Sequence, residues 1–285
     1  MSEDNAAALQ NRATDRDAQD HPANTVTAVD GPLFSELSDE GILTLTLNRS
    51  EQFNALSHTL LDALQASLAD MPEEVRVVVI AASGKAFCAG HDLKEMRSNI
   101  DEQWQKDLFA KCSRFMQTLI SLPQPVIAKV QGIAAAAGCQ LVANCDLAIA
   151  ADHCNFGVSG INLGLFCSTP SVALSRNVSR KRAFQMLMSG DFIDAPTAVD
   201  WGLINQSVPP DQLDQAVLDL ALCICAKSRV AVSTGKSLFY RQIELPLADA
   251  YQLAGNAMAC NMMADDVSEG IDAFFEKRKP QWNDS

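Results

Sequence analysis

The sequence predicts an α/β fold, and three observations carry the prediction. Short apolar runs bounded by turn residues read as strands, leucines recurring at helical spacing separate them, and the chain from Arg180 onward is mostly helical. Leu33 to Leu37 and Ile42 to Leu47 are the first two strands, divided at Gly41, the second alternating bulky apolar residues with threonine. Leu56, Leu60, Leu61, Leu64 and Leu68 then mark a helix that ends near Met71-Pro72, since proline lacks the N–H a helix needs. Val75 to Ala81 is an apolar run interrupted only at Arg76, short enough for a buried strand. The alternation returns with a helix from Asp101 to Leu122, a strand from Val126 to Val130, a short helix from Gly138 to Asn144 and a strand from Asp146 to Ala150. Helical segments follow over Ala183 to Met188, Ala195 to Trp201, Leu213 to Ala226, Val230 to Arg241, Leu247 to Met263 and Val267 to Lys277.

At 285 residues, 48% hydrophobic and 20% charged, the chain is long for one compact domain, so one main domain with appendages is expected. A net charge of −13 repels a polyanion at long range and argues against nucleic acid as a partner. Two local basic patches remain, Arg176 with Arg180, Lys181 and Arg182, and the run Lys277, Arg278, Lys279; a solvated helix face explains the first without a ligand. No apolar run approaches the roughly 18 to 20 residues of a membrane helix, so no membrane partner is expected. Nine cysteines without a repeated spacing fit reduced thiols rather than a disulfide framework. Residues 1–30 read as a disordered acidic tail with neither a secretory h-region nor the acid-free composition of a transit peptide, which leads to the expectation of a cytoplasmic protein.

Two segments carry the chemistry. Val77 to Met96 reads as strand, loop and helix start, with Asp92 placed to cap the helix and Glu95 three residues on, as in a capping box. The small residues Cys88, Ala89 and Gly90 let the loop backbone approach a ligand and offer it amides, although a tight strand-to-helix connection explains them as well. A phosphate-binding P-loop is excluded because Val79 and Ala86 stand where its glycine and its Ser/Thr belong. Cys88 and His91 lack the further ligands of a metal site, so no metal is expected. In the second segment, Val126 to Ala150, a strand feeds an Ala/Gly turn that opens a helix, and free amides with a positive dipole end make a natural anion pocket. Close helix packing through small residues is the alternative.

The blocks Ser83 to Met96 and Gly132 to Ala150, followed by Asn155-Phe156-Gly157 to Leu165 and by the ending Ile271 to Pro280, resemble the signature blocks of the crotonase superfamily, the enoyl-CoA hydratase/isomerase family. The run Ile133 to Ala143, with Gly164 to Pro170 and Lys277 to Trp282, is most similar to its enoyl-CoA hydratase domain-containing protein three group. The resemblance implies a spiral of ββα repeats over residues 31–200 and a helical C-terminal region, residues 201–285, that builds trimers or dimers of trimers. It implies an acyl-CoA thioester as ligand, with coenzyme A entering as part of the substrate and no separate cofactor. It further implies an oxyanion hole from the amides of Cys88 and Ala137, and CoA contacts from Cys88, Ala89, Gly90, His91, Phe274 and Lys277.

The chain departs from the family at the two glutamates that handle water and the α-proton, where Gln140 and Gly160 stand. Neither is a Brønsted acid or base near neutral pH. Around these positions lie Cys139, Asn162, Cys167, Ser168 and Thr169 as pocket polar groups, and His91 as the candidate proton carrier with the most suitable intrinsic pKa. Cys139 and Cys167 read as core thiols, since no base is visibly paired with them. The reading leans to an enzyme that stabilises the enolate of an acyl thioester, with efficient hydration in doubt. A non-catalytic acyl-CoA binder, or a thioester hydrolase or decarboxylase on the same fold, stands beside it.

Overall fold

The computed structural model describes residues 31–283, so the expected tail lies outside the described part. Strand β1 (Leu33–Leu37) pairs antiparallel with β2 (Ile42–Leu47), and β3 (Val77–Ala82), β5 (Val126–Val130), β7 (Leu147–Ala151) and β10 (Gln206–Val208) extend the sheet in parallel. After each of β3, β5 and β7 the chain crosses to a second sheet through a three-residue strand: β4 (Ala86–Cys88), β6 (Ile133–Ala135) and β8 (Asn155–Gly157). β9 (Phe192–Asp194) closes that sheet antiparallel to β8. A helix follows each crossing, which is the expected ββα spiral.

The helices pack by their apolar stripes. α1 (His58–Ala69) buries Leu60, Leu61, Leu64 and Leu68, and α3 (Glu102–Ser121), preceded by the single-turn α2 (Leu93–Ser98), buries Leu108, Cys112, Phe115, Met116 and Leu119. α4 (Ala137–Asn144) is buried along its whole length, and a β-carbon on Gly138 would overlap the Cys88 carbonyl oxygen, so only glycine lets this helix seat on β4. α5 (Ser168–Asn177), α6 (Arg180–Ser189) and α7 (Ala195–Trp201) lead to β10, and α8 (Leu213–Cys225) packs on β3, β5 and β7. The core therefore continues past residue 200, the boundary expected from the sequence, because β10 completes the main sheet and α8 covers it. The helical appendage begins at α9 (Arg229–Gln242) and continues through α10 (Leu247–Asn261) and α11 (Asp265–Glu276).

The appendage is attached through charge. Lys236 is the one buried residue of α9; its Nζ donates to the Leu119 and Gln124 carbonyls at 2.7 and 2.9 Å and to Asp146 Oδ2 at 2.7 Å. Asp146 also accepts from Tyr240 Oη at 2.8 Å and from the Val126 amide at 2.6 Å. Burial lowers the Lys236 pKa and Asp146 opposes the shift. One ion pair thus ties α9 to the ends of α3 and α4 and to the start of β5.

Lys236→Met is expected to cost about 3–5 kcal/mol by stranding the Asp146 carboxylate. Adding Asp146→Asn should recover part of that loss, because the stranded charge goes with it; denaturant midpoints of the single and double variants check both.

Candidate functional site

A cavity of about 310 Å³ opens where the loop after β4, the start of α4, the 3-10 turn Ser159–Leu163 and the start of α5 meet. Leu93, Met96 and Phe109 form part of its wall from α2 and α3. A buried network fixes the β4 loop. Asn54, at a positive φ of 55°, donates through Nδ2 to the Ser83 and Ala86 carbonyls at 2.8 Å and accepts from the Arg49 amide at 2.8 Å. Arg49 in turn pairs with Asp92 at 3.1 Å, and Asp92 caps α2 by accepting from the Lys94 and Glu95 amides. The cap is as expected, but Glu95 does not close a capping box: its Oε2 accepts from the His58 amide at 3.1 Å and so serves the start of α1.

Among the backbone amides of the cavity lining that have no acceptor among the described residues are those of Ala137 and His91. Ala137 is the first residue of α4, so its N–H has no intrahelical partner. His91 pairs with Leu56 in an isolated parallel bridge, in which Leu56 donates to Gly90 O at 2.8 Å and accepts from Asp92 N at 3.2 Å. That pattern turns the N–H of His91 itself toward the opposite edge. The loop and helix abut there, since a β-carbon on Gly90 would lie 2.9 Å from Ala136 Cβ and 3.3 Å from Ala137 N. Ala136 takes the bend at φ 49° and ψ −116°, a conformation that costs a non-glycine residue about 1–3 kcal/mol.

The expected site residues separate into three groups. Ala89, His91, Ala137, Gly160, Cys167, Ser168 and Thr169 line the cavity, alongside Leu163, Leu165, Phe166 and Pro170, which the sequence reading did not single out. Cys88 does not line it: the residue is fully buried in β4, with its thiol pushed up to about 12 by burial, and the amide that the loop offers belongs to His91. Gly90, Gln140 and Cys139 are buried behind the wall; Asn162 faces away, donating to the Gly190 carbonyl at 3.4 Å. Phe274, 79% exposed, lies in a separate groove on α11 with Ile271, Phe275 and Trp282, and Lys277 is the left-handed cap ending that helix. Within one chain neither Phe274 nor Lys277 lines the cavity.

No Asp, Glu, Lys or Arg lines the cavity among the described residues. The Gln140 Oε1 is closed off from solvent without a hydrogen-bond partner, and both ring nitrogens of His91 are in the same state. The His91 ring meets Phe109 edge-on at 5.4 Å. Burial is the main cause that lowers its pKa to about 4, with the nearby Leu56 backbone opposing and His58 adding a little. Gly160 receives no side chain for a steric reason: a β-carbon there would lie 2.8 Å from Cys167 Sγ and 2.6 Å from the Leu165 carbonyl oxygen.

Residues 38–285 match the model of the enoyl-CoA hydratase/isomerase family. The enoyl-CoA hydratase domain-containing protein 3, mitochondrial, of Xenopus laevis is 43% identical over 257 residues, covering 89% of this chain and 87% of that protein. The crystal structure of an enoyl-CoA hydratase from Mycobacterium smegmatis superposes with a TM-score of 0.88 at 54% identity, covering 89% of this chain and 99% of that one. The structure of human enoyl-CoA hydratase domain-containing protein 3 gives 0.86 at 41%, covering 88% and 100%. The counterparts from Rattus norvegicus, Mus musculus, Homo sapiens and Danio rerio also carry "mitochondrial" in their names, which overturns the cytoplasmic expectation. That expectation rested on the composition of the first thirty residues and on cysteines that fit reduced thiols.

With a folded pKa of about 4 against roughly 6.5 when unfolded, His91 binds its proton more tightly in the unfolded chain. Its contribution to stability is full above about pH 6.5 and lost as pH falls through about 4. Urea unfolding at stepped pH should show that slope, and His91→Phe should flatten it.

Proposed function

The chain belongs to the enoyl-CoA hydratase/isomerase family, and from that premise we propose that it binds an acyl-CoA thioester and stabilises the thioester's enolate with the His91 and Ala137 amides. The observation that carries this reading is that the His91 and Ala137 N–H groups, both without an acceptor among the described residues, belong to one largely apolar cavity at the point where the β4 loop abuts the start of α4. Two donors fixed by a helix start and a strand bridge need no reorganisation when charge develops on the carbonyl oxygen, and they act where water is scarce. The His91 ring, neutral at physiological pH, is the proton carrier in this reading, taking the α-proton as the enolate forms. The imidazolium so produced is paired with the enolate, which offsets the burial that disfavours it in the free protein. No cofactor is required beyond the coenzyme A that arrives with the acyl group.

The apolar residues that α9 to α11 leave exposed, among them Phe239, Leu247, Tyr251, Met258, Phe274 and Phe275, support assembly as a trimer or dimer of trimers. In such an assembly Phe274 and Lys277 contact the nucleotide of a CoA whose thioester lies in a neighbouring subunit's cavity. A second reading, an acyl-CoA binder without turnover, is favoured by a cavity lining that holds no carboxylate among the described residues.

The donor pair is tested with Ala136→Gly combined with Ala137→Pro. Proline is tolerated at a first helical position but carries no N–H, and glycine relieves the bend before it. Against a panel of acyl-CoA thioesters, turnover should fall about 100- to 1,000-fold while ground-state binding is largely kept. Binding without turnover in the unsubstituted protein selects the binder, and neither binding nor turnover ends the acyl-CoA reading.

A further inference from the structure

Cys167 has a place in the cavity that none of the other eight cysteines shares. It lines the space, 8% exposed, at the residue before α5, and its Sγ accepts the Gly160 amide at 3.3 Å. A β-carbon at position 160 would point onto that sulfur, so the thiol fills the volume a side chain at 160 would need. Serine and threonine hydroxyls are the other nucleophiles of the lining, and they stay protonated without a strong base, whereas a thiol ionises within reach of neutral pH. Burial holds the thiol back; the Gly160 N–H and the start of α5 pull toward thiolate. His91 shares this lining, and both its ring nitrogens are buried without a hydrogen-bond partner.

We propose that Cys167 adds to the β-carbon of an α,β-unsaturated acyl thioester held in this cavity, so that the protein captures enoyl thioesters covalently and reversibly. The proposal rests on the acyl-CoA reading above and deepens it by naming the substrate class. The S–Cβ bond forms as the alkene π pair moves through Cα to the thioester oxygen, where the His91 and Ala137 amides hold the enolate. The thiol proton passes by way of the His91 imidazole to Cα. Nothing leaves, no water enters, and no oxidant or reductant takes part. Retro-addition returns the free thiol and the alkene. This chemistry uses the groups that the cavity holds and does without the carboxylates it lacks.

The full chain is incubated with trans-2-butenoyl-CoA or with saturated butanoyl-CoA, quenched in acid, and read by intact mass and peptide mapping, with binding of butanoyl-CoA measured alongside. The expected result is an adduct with the mass of the whole enoyl-CoA on the peptide holding Cys167, absent with butanoyl-CoA and absent in Cys167→Ser and Cys167→Ala. Its formation rate should rise about tenfold per pH unit below the thiol pKa. A gain of the acyl mass alone with release of free coenzyme A would mean thioester exchange and overturn the proposal. So would modification confined to the exposed Cys223 or Cys260, or no adduct in a protein that binds butanoyl-CoA. If neither thioester binds or reacts, the acyl-CoA reading falls, and the proposal with it.

Discussion

The site depends on one close approach, that of α4 onto β4 at Gly138. With the helix buried on all sides, its first turn can reach the loop after β4 only because no side chain separates the two backbones at that point. A methyl group there would push the helix away and carry the Ala137 N–H with it. The strained bend at Ala136, the contact of Gly90 with the same turn and the Asn54–Arg49–Asp92 network all serve the geometry this approach sets. At the far end of α4 the Asp146–Lys236 pair holds the helix against the sheet and the appendage together.

Much of the main sheet was legible in the sequence. The strands Leu33–Leu37, Ile42–Leu47 and Val126–Val130 and the helix Ala195–Trp201 lie where the apolar pattern placed them, and the second and third of these strands bury a clear stripe or run. The second sheet was not legible. Its strands are three residues long, too short to show a period of two, and Ala86, Ala134, Ala135 and Gly157 carry little apolar signal. α5 escaped for a related reason: Ser168, Thr169 and Pro170 look like a turn, and its buried face is only Pro170, Ala173 and Leu174.

The candidate site was legible as two segments and misread in one detail. Small residues at Cys88 to Gly90 and at Ala134 to Gly138 marked where backbone would meet ligand. Which amide faces inward is decided by a strand bridge between Leu56 and His91, a contact across more than thirty residues that leaves no local trace. Asn54 offered a weak clue, as a polar residue between an apolar strand and a leucine-rich helix, and positive φ is a conformation asparagine tolerates better than most. Cys139 and Cys167 are both buried in the core, as expected, but only one of them also faces the cavity. Cys139 is buried with its thiol pushed up to about 12, while Cys167 reaches the cavity.

The packing of Cys167 against Gly160 also bears on how this chain can change. A carboxylate cannot be introduced at position 160 by one substitution without displacing its surroundings, because the first atom of the new side chain meets a sulfur and a backbone oxygen already in place. Chemistry in this cavity is therefore confined to the groups already packed around it.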